Sequence, residues 1–254
     1  MLLENRNAII YGGGGGIGGA IARAFAREGA YVHLAGRTQA TLDATAADIT
    51  AGGGRADTAL LDALDESQVD AHADAVVKEA GSLDISVNVI TDNDVQGTAL
   101  AEMRVDDYLS PVQTGVRSRF LTSRAAARHM TAQRSGVILF FGGDPDESAH
   151  RRYHLGGLMT EFAAIEQMRR QLASELGRYG IRVITLRTSG VPESISDAEP
   201  EFRARIETQL AESTLLGRTA TFADVGNVAV FAASDWARTI TGAAINMTCG
   251  AMID

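Results

Sequence analysis

The stretch "IIYGGGGGIGGAIARAF", residues 9–25, sets five consecutive glycines between a short apolar run and the start of a helical pattern. Backbone free of side chains at such a junction is suited to one task. Its amides donate to phosphate oxygens, while the helix that begins near Ile17 turns its positive dipole end toward the same point. The order strand, glycines, helix, with a second strand at the expected distance, points to a diphosphate rather than to a merely flexible turn. Gly12, Gly16, Ile17 and Gly18 are the expected contacts.

The second strand ends in "LAGRT", residues 34–38. A dinucleotide site for NAD usually carries an acidic residue about 20 residues past the glycines, to accept from the ribose 2′-hydroxyl. Gly36 leaves that place without an acid, and Arg37 with Thr38 offers the guanidinium fork and hydroxyl that suit a 2′-phosphate. The expected cofactor is NADP(H).

Outward from this point, short β-rich apolar runs alternate with amphipathic stretches. Strands are expected at 7–11, 31–35, 56–61, 83–90, 137–141, 181–187 and 243–248, and helices at 17–28, 38–51, 65–80, 112–133, 158–178, 201–213 and 222–233. Runs this apolar suit parallel strands covered on both faces. The βαβ alternation implies right-handed crossovers and one doubly wound parallel sheet of about seven strands. No linker or repeat divides residues 1–254, which are expected to form a single α/β domain. The proline- and acid-bearing segment 189–200, "SGVPESISDAEP", is the expected mobile loop.

Hydrophobic residues make up 45% of the 254 and charged residues 22%, an ordinary globular balance. A net charge of -9 speaks against nucleic acid, whose binding needs concentrated Lys and Arg. No apolar run reaches membrane-span length, and Glu4 interrupts the N-terminus before a secretory pattern forms, so a cytoplasmic protein is expected. Cys249, the only cysteine, excludes an intrachain disulfide and reads as a small buried residue. Of the 23 basic residues only Lys78 is a lysine.

With the glycine spacing after one strand, "LAGR" after the next and Asp62 after the third, the chain resembles the short-chain dehydrogenase/reductase family over nearly its whole length. Asp62 and Ala63 match that family's adenine-contacting pair, and "DISVNV" matches its "DILVNNAG" strand, keeping Asn88. "SRAAARHM", "ASELGRYGIRV" and the C-terminal "LGRTATFADVGNVAVFAASDWARTITGAAINMTCG" match its later segments. The resemblance implies a Rossmann-type fold, an oxidoreductase with a small-molecule substrate, and a homo-dimer or homo-tetramer paired through the helices at 112–133 and 158–178.

In the family, a tyrosine and a lysine four residues later share a helix, and the ammonium lowers the phenol pKa for proton transfer. A serine after the fifth strand orients the substrate oxygen, and an asparagine on the fourth helix supports the lysine. The same alignment puts Leu158, Phe162, Gly143 and Gly115 in these four places. Lys78 offers no replacement, since its helix end should face the sheet edge opposite the cofactor. The family's "NNAG" becomes "NVIT" at Asn88 to Thr91, and its "PG" after the sixth strand becomes Thr188 and Ser189. The adenine half of the site reads as intact and the nicotinamide half as rebuilt.

The segment "GGDPDESAHRRYHLGG", residues 142–157, should overhang the nicotinamide. Asp144, Asp146, Tyr153 and His154 are the candidates there for proton transfer or charge, against the plain alternative of solvated loop residues. His150 and His154 have the spacing of a metal pair, but Arg151 and Arg152 between them disfavour a cation, and no metal is expected. Hydride transfer is the cofactor's chemistry, and the phenol serves to protonate an alkoxide, which an iminium would not require. Three readings stay open: a reductase of C=O or C=N substrates, a silent NADP-binding sensor or partner protein, and a non-redox enzyme reusing the pocket. Phe162, Ile165, Met168 and Leu172 recur at helical spacing, as a core or subunit face would.

Overall fold

The computed structural model describes residues 1–143, 154–195 and 200–253. Its strands are β1 (Asn7–Tyr11), β2 (Tyr31–Gly36), β3 (Arg55–Leu60), β4 (Ile85–Asn88), β5 (Gly136–Gly142), β6 (Ile181–Arg187) and β7 (Ala243–Asn246). All pair in parallel in one sheet of order β3-β2-β1-β4-β5-β6-β7. The chain winds outward from β1 to β3, then returns to start β4 on the other side of β1. That reversal opens a crevice at the carboxyl ends of β1 and β4, where such sheets bind ligands.

The helices are α1 (Gly16–Arg27), α2 (Gln39–Ala51), α3 (Glu66–Ala80), α4 (Val105–Pro111), α5 (Arg117–Gln133), α6 (Leu158–Leu176), α7 (Pro200–Glu212) and α8 (Phe222–Ala233). In β1, Ile9 and Ile10 are both fully buried yet enter different cores, because successive strand residues face opposite ways. One core joins the sheet to α1, α2 and α8; the other joins it to α3, α5 and α6. Strands covered on both faces are mostly apolar, which is why their runs show little alternation, although His33, Ser86 and Thr185 are buried polar residues within them. Phe162, Ile165, Met168 and Leu172 of α6 all pack into the second core.

Local chemistry sets the helix starts. The Asp65 carboxylate accepts from the amides of Ser67 and Gln68 at the start of α3, and Thr221 and Asp224 form a reciprocal capping box at α8. Gly226 lets α8 close on α1, since a Cβ there would stand 2.8 Å from that of Ala24.

One expectation needs correction. The helix expected to begin at residue 112 starts as α4 at Val105 and reaches α5 through a π turn, Val112–Val116. Pro111 explains the break, because it lacks an N–H and its ring crowds the carbonyl four residues back. Within the expected loop at 189–200, Pro192–Ser194 forms a short 3-10 turn, and residues 196–199 lie outside the described ones. No helix among the described residues is long and apolar enough to cross a membrane.

Candidate active site

The glycines after β1 are held by packing as well as by any ligand. Gly12 has φ +88°, and a Cβ on it would lie 2.7 Å from the carbonyl oxygen of Val89. A Cβ on Gly13 would press on Leu34 at 2.8 Å, one on Gly16 on the Phe222 ring at 2.6 Å, and one on Gly18 would overlap the Gly12 carbonyl. Gly15 differs: it is exposed, meets nothing closer than 3.4 Å, and caps α1 without a side-chain hydrogen bond. The first amides of α1 are therefore open to an external acceptor. Ile17, partly buried, packs on the core behind them.

Arg37 is exposed just beyond β2, and Thr38 caps α2, its carbonyl accepting from the Thr41 hydroxyl at 3.0 Å. Asp62 follows β3; its Oδ1 accepts from the Leu64 amide at 2.9 Å, and Ala63 is buried. Asn88 is also buried, and both ends of its amide are engaged. Its Nδ2 donates to Thr122 at 3.0 Å and its Oδ1 accepts from the Ile90 amide at 3.1 Å, shaping the turn after β4. The cradle fits a dinucleotide phosphate: Gly15 leaves open space before the uncapped amides of α1, and the exposed Arg37 stands at the end of the neighbouring strand.

The four places aligned with the family's catalytic residues lie together, and their occupants are matched. The ring of Phe162 covers Gly143, where a Cβ would come within 2.8 Å of it. Gly115 lies in the π turn, buried, and a Cβ there would overlap the carboxylate of Glu161. Leu158 opens α6, three residues before Glu161. Thus each glycine makes room for a bulky neighbour on α6.

Glu161 belongs to a buried ion cluster that the sequence analysis did not anticipate. Arg119 of α5 is 1% exposed and Glu161 0%. The Nη1 of Arg119 meets Glu161 Oε1 at 3.0 Å and Asp92 Oδ1 at 2.8 Å, while Nη2 donates to the Phe141 carbonyl at 3.0 Å. Asp92, in the segment after β4, is the member nearest solvent, with 15% of its side chain exposed. Burial, then the charge of Asp92, pushes the Glu161 carboxyl up to about 9 against the opposing pull of Arg119. A signal existed in the sequence. Glu161 stands four residues before Ile165 on the apolar stripe of α6, and Arg119 shares a stripe of α5 with Thr122 and Ala126.

One turn along α6, Glu166 receives Arg169 at 2.7 Å and Arg187, at the end of β6, at 3.5 Å. Burial opposes its ionisation, but the Arg169 hydrogen bond and the charges of Arg169 and Arg187 prevail and hold its carboxyl below the usual range. Asp144, Asp146, His150 and Tyr153 lie outside the described residues. His154 is exposed, and its carbonyl accepts from the Gly97 amide at 2.8 Å. Among the described residues no group of His, Cys, Asp and Glu is placed to hold a metal ion. Lys78 occupies the last turn of α3, away from the crevice, and Cys249 is half-buried.

Residues 13–252 match the family profile described as enoyl-(acyl carrier protein) reductase. Tropinone reductase-like 1 of Erythroxylum coca is 32% identical over 248 residues, which cover 96% of this chain and 89% of that protein. A short-chain type dehydrogenase/reductase from Mycobacterium marinum superimposes with a TM-score of 0.85 at 25% identity, covering 99% of this chain and 97% of the other. A gluconate 5-dehydrogenase from Burkholderia cenocepacia, solved with NADP and tartrate, gives a TM-score of 0.85 at 25% identity over 98% of this chain and 96% of its own. Sheet order, glycine cradle and whole-chain similarity agree, and the chain belongs to the short-chain dehydrogenase/reductase family.

Proposed function

We propose that the protein is an NADP(H)-dependent oxidoreductase that acts on a C=O or C=N group of a small molecule through a non-standard active site. The observation that carries this reading is Arg37, exposed at the end of β2 where Gly36 leaves no acid, beside a glycine cradle open at the α1 N-terminus. The cradle would hold the diphosphate through the amides around Gly12, Gly16, Ile17 and Gly18. Arg37 and Thr38 would take the 2′-phosphate, while Asp62, Ala63 and Asn88 frame the adenine side. The bound cofactor supplies the hydride. Leu158 and Phe162 give the nicotinamide side an apolar wall in place of a phenol and an ammonium. The homologous gluconate 5-dehydrogenase that binds NADP is consistent with this choice, and a cytoplasmic homo-oligomer remains part of the reading.

Calorimetry with NADPH and NADH, followed by NADPH consumption with a panel of ketones and cyclic imines, tests it. Tighter binding of NADPH and turnover of at least one compound are expected. Turnover of ketones alone would remove the C=N alternative. Phe162 in place of a lysine favours a second reading, a protein that binds NADP without turnover as a sensor or partner. NADP binding that raises the melting temperature, with no consumption of NADPH, would support it.

A further inference from the structure

Two carboxyl groups on one guanidinium, all but sealed from water, pose a problem of charge. Arg119 neutralises one of Asp92 and Glu161, and among the described residues no further cation meets the second negative charge. The groups that face Glu161 are Arg119 from α5 and Asp92 and Asp94 from the segment after β4. Three acids and one base leave the most buried acid to take up a proton. The geometry agrees. Asp92 Oδ1 and Glu161 Oε1 converge on the same Arg119 Nη1, at 2.8 and 3.0 Å, so the two carboxyls stand side by side and a proton on one reduces their mutual repulsion. The Oε2 of Glu161 is buried and meets no hydrogen-bond partner among the described residues.

The place of this cluster gives the proton a use. Glu161 fills the space above Gly115, Arg119 is tied to the carbonyl of Phe141 two residues before Gly143, and Phe162 adjoins Glu161 in sequence. We propose that Asp92 and Glu161 form a proton-sharing pair that stores one proton beneath the reaction centre and delivers it, through Asp92, to the substrate heteroatom. The inference rests on the reductase reading above. When hydride from the reduced nicotinamide reaches the substrate carbon, the electrons of its C=O or C=N π bond move to the heteroatom. An O–H bond of the pair breaks and a new O–H or N–H bond forms on that heteroatom. The pair keeps the second negative charge beside Arg119, and solvent returns a proton through the partly exposed Asp92; the two electrons would come with the hydride of the bound reduced cofactor, the reductant in this balance. Asp92 is the catalytic member; Glu161, fully buried, is the store.

Two measurements test this. Infrared titration of the purified protein without cofactor should show, near neutral pH, the C=O band of a protonated carboxylic acid that fades in alkali. The band should be missing in Glu161→Gln and displaced in Asp92→Asn. A wild-type protein without that band overturns the proton store, whatever the enzyme reduces. Next, both variants are compared with wild type on whichever ketone or cyclic imine consumes NADPH. kcat should fall by at least tenfold at unchanged NADPH affinity, and Glu161→Gln should lose the alkaline limb of the pH profile. Wild-type rates and pH profile in both variants overturn the delivery step. Consumption of NADPH by no compound overturns the reductase reading and the delivery step together, while the infrared band still decides the store. If Glu161→Gln fails to fold, Asp92→Asn, changed at the wetter member, carries both measurements.

Discussion

The carboxylate of Glu161 occupies the volume into which any side chain at position 115 would project, and Gly115 is the residue that permits it. Phe162 and Gly143 repeat the relationship on the other side of the same pocket. Three of the four places matched to the family's catalytic groups are thus repacked in two interlocking pairs, Gly115 with Glu161 and Gly143 with Phe162, and each pair can be tested as a unit.

Gly115→Asn should be destabilised by about 1–3 kcal/mol, the usual cost of forcing atoms into a filled core. Glu161→Ala frees that volume, so the double variant should recover part of the loss in a thermal-melt cycle. Additive losses would show that the two residues do not compete for space.

Arg119→Leu should lose about 3–5 kcal/mol, because it leaves the buried charge of the Asp92–Glu161 pair without its counter-charge. Urea denaturation measures the loss. In alkaline buffer, Arg119→Leu combined with Glu161→Gln should be less damaged than Arg119→Leu alone, since position 161 can then no longer ionise.

Glu161 holds its proton up to about pH 9 in the folded chain against an ordinary value of 4.5. A raised folded value means the native state binds more protons, so its contribution is complete below about 4.5 and is lost as pH rises toward about 9. Urea midpoints for Glu161→Gln should therefore improve relative to wild type between acid and alkaline buffer.

His72 behaves in the opposite sense. Burial first, then the charge of His33, lowers it from 6.5 to about 4, so its contribution is present above 6.5 and is lost as pH falls toward 4. The surrounding groups form a compact set: His33 Nδ1 meets Asp57 at 2.9 Å, and the Tyr31 hydroxyl donates to the same carboxylate at 3.0 Å. His72→Gln should flatten the acid side of the stability profile in the same denaturation series.

Arg37→Ala should weaken NADPH by roughly 10- to 100-fold and leave NADH little changed, since a charge-assisted contact contributes about 1.5–3 kcal/mol. Calorimetry reads both. Equal losses for the two cofactors would show that the guanidinium does not meet the 2′-phosphate.

The sequence by itself determined the sheet and the cradle. Strands covered on both faces are mostly apolar, and a backbone that closes on Val89 and Phe222 must lack Cβ atoms, so both leave local marks that need no partner to be read. It also determined that a phenol paired with a lysine four residues on is absent, because Lys78 is the only lysine. Only the tertiary structure decided what stands there instead. Asp92, Arg119 and Glu161 are distant in the chain, and a charged residue on a helix looks the same in sequence whether water or a buried partner satisfies it. The π turn was hidden for a similar reason: Pro111 marks a disturbance, but the local sequence reads alike for a helix that stops there and one that continues through a π turn.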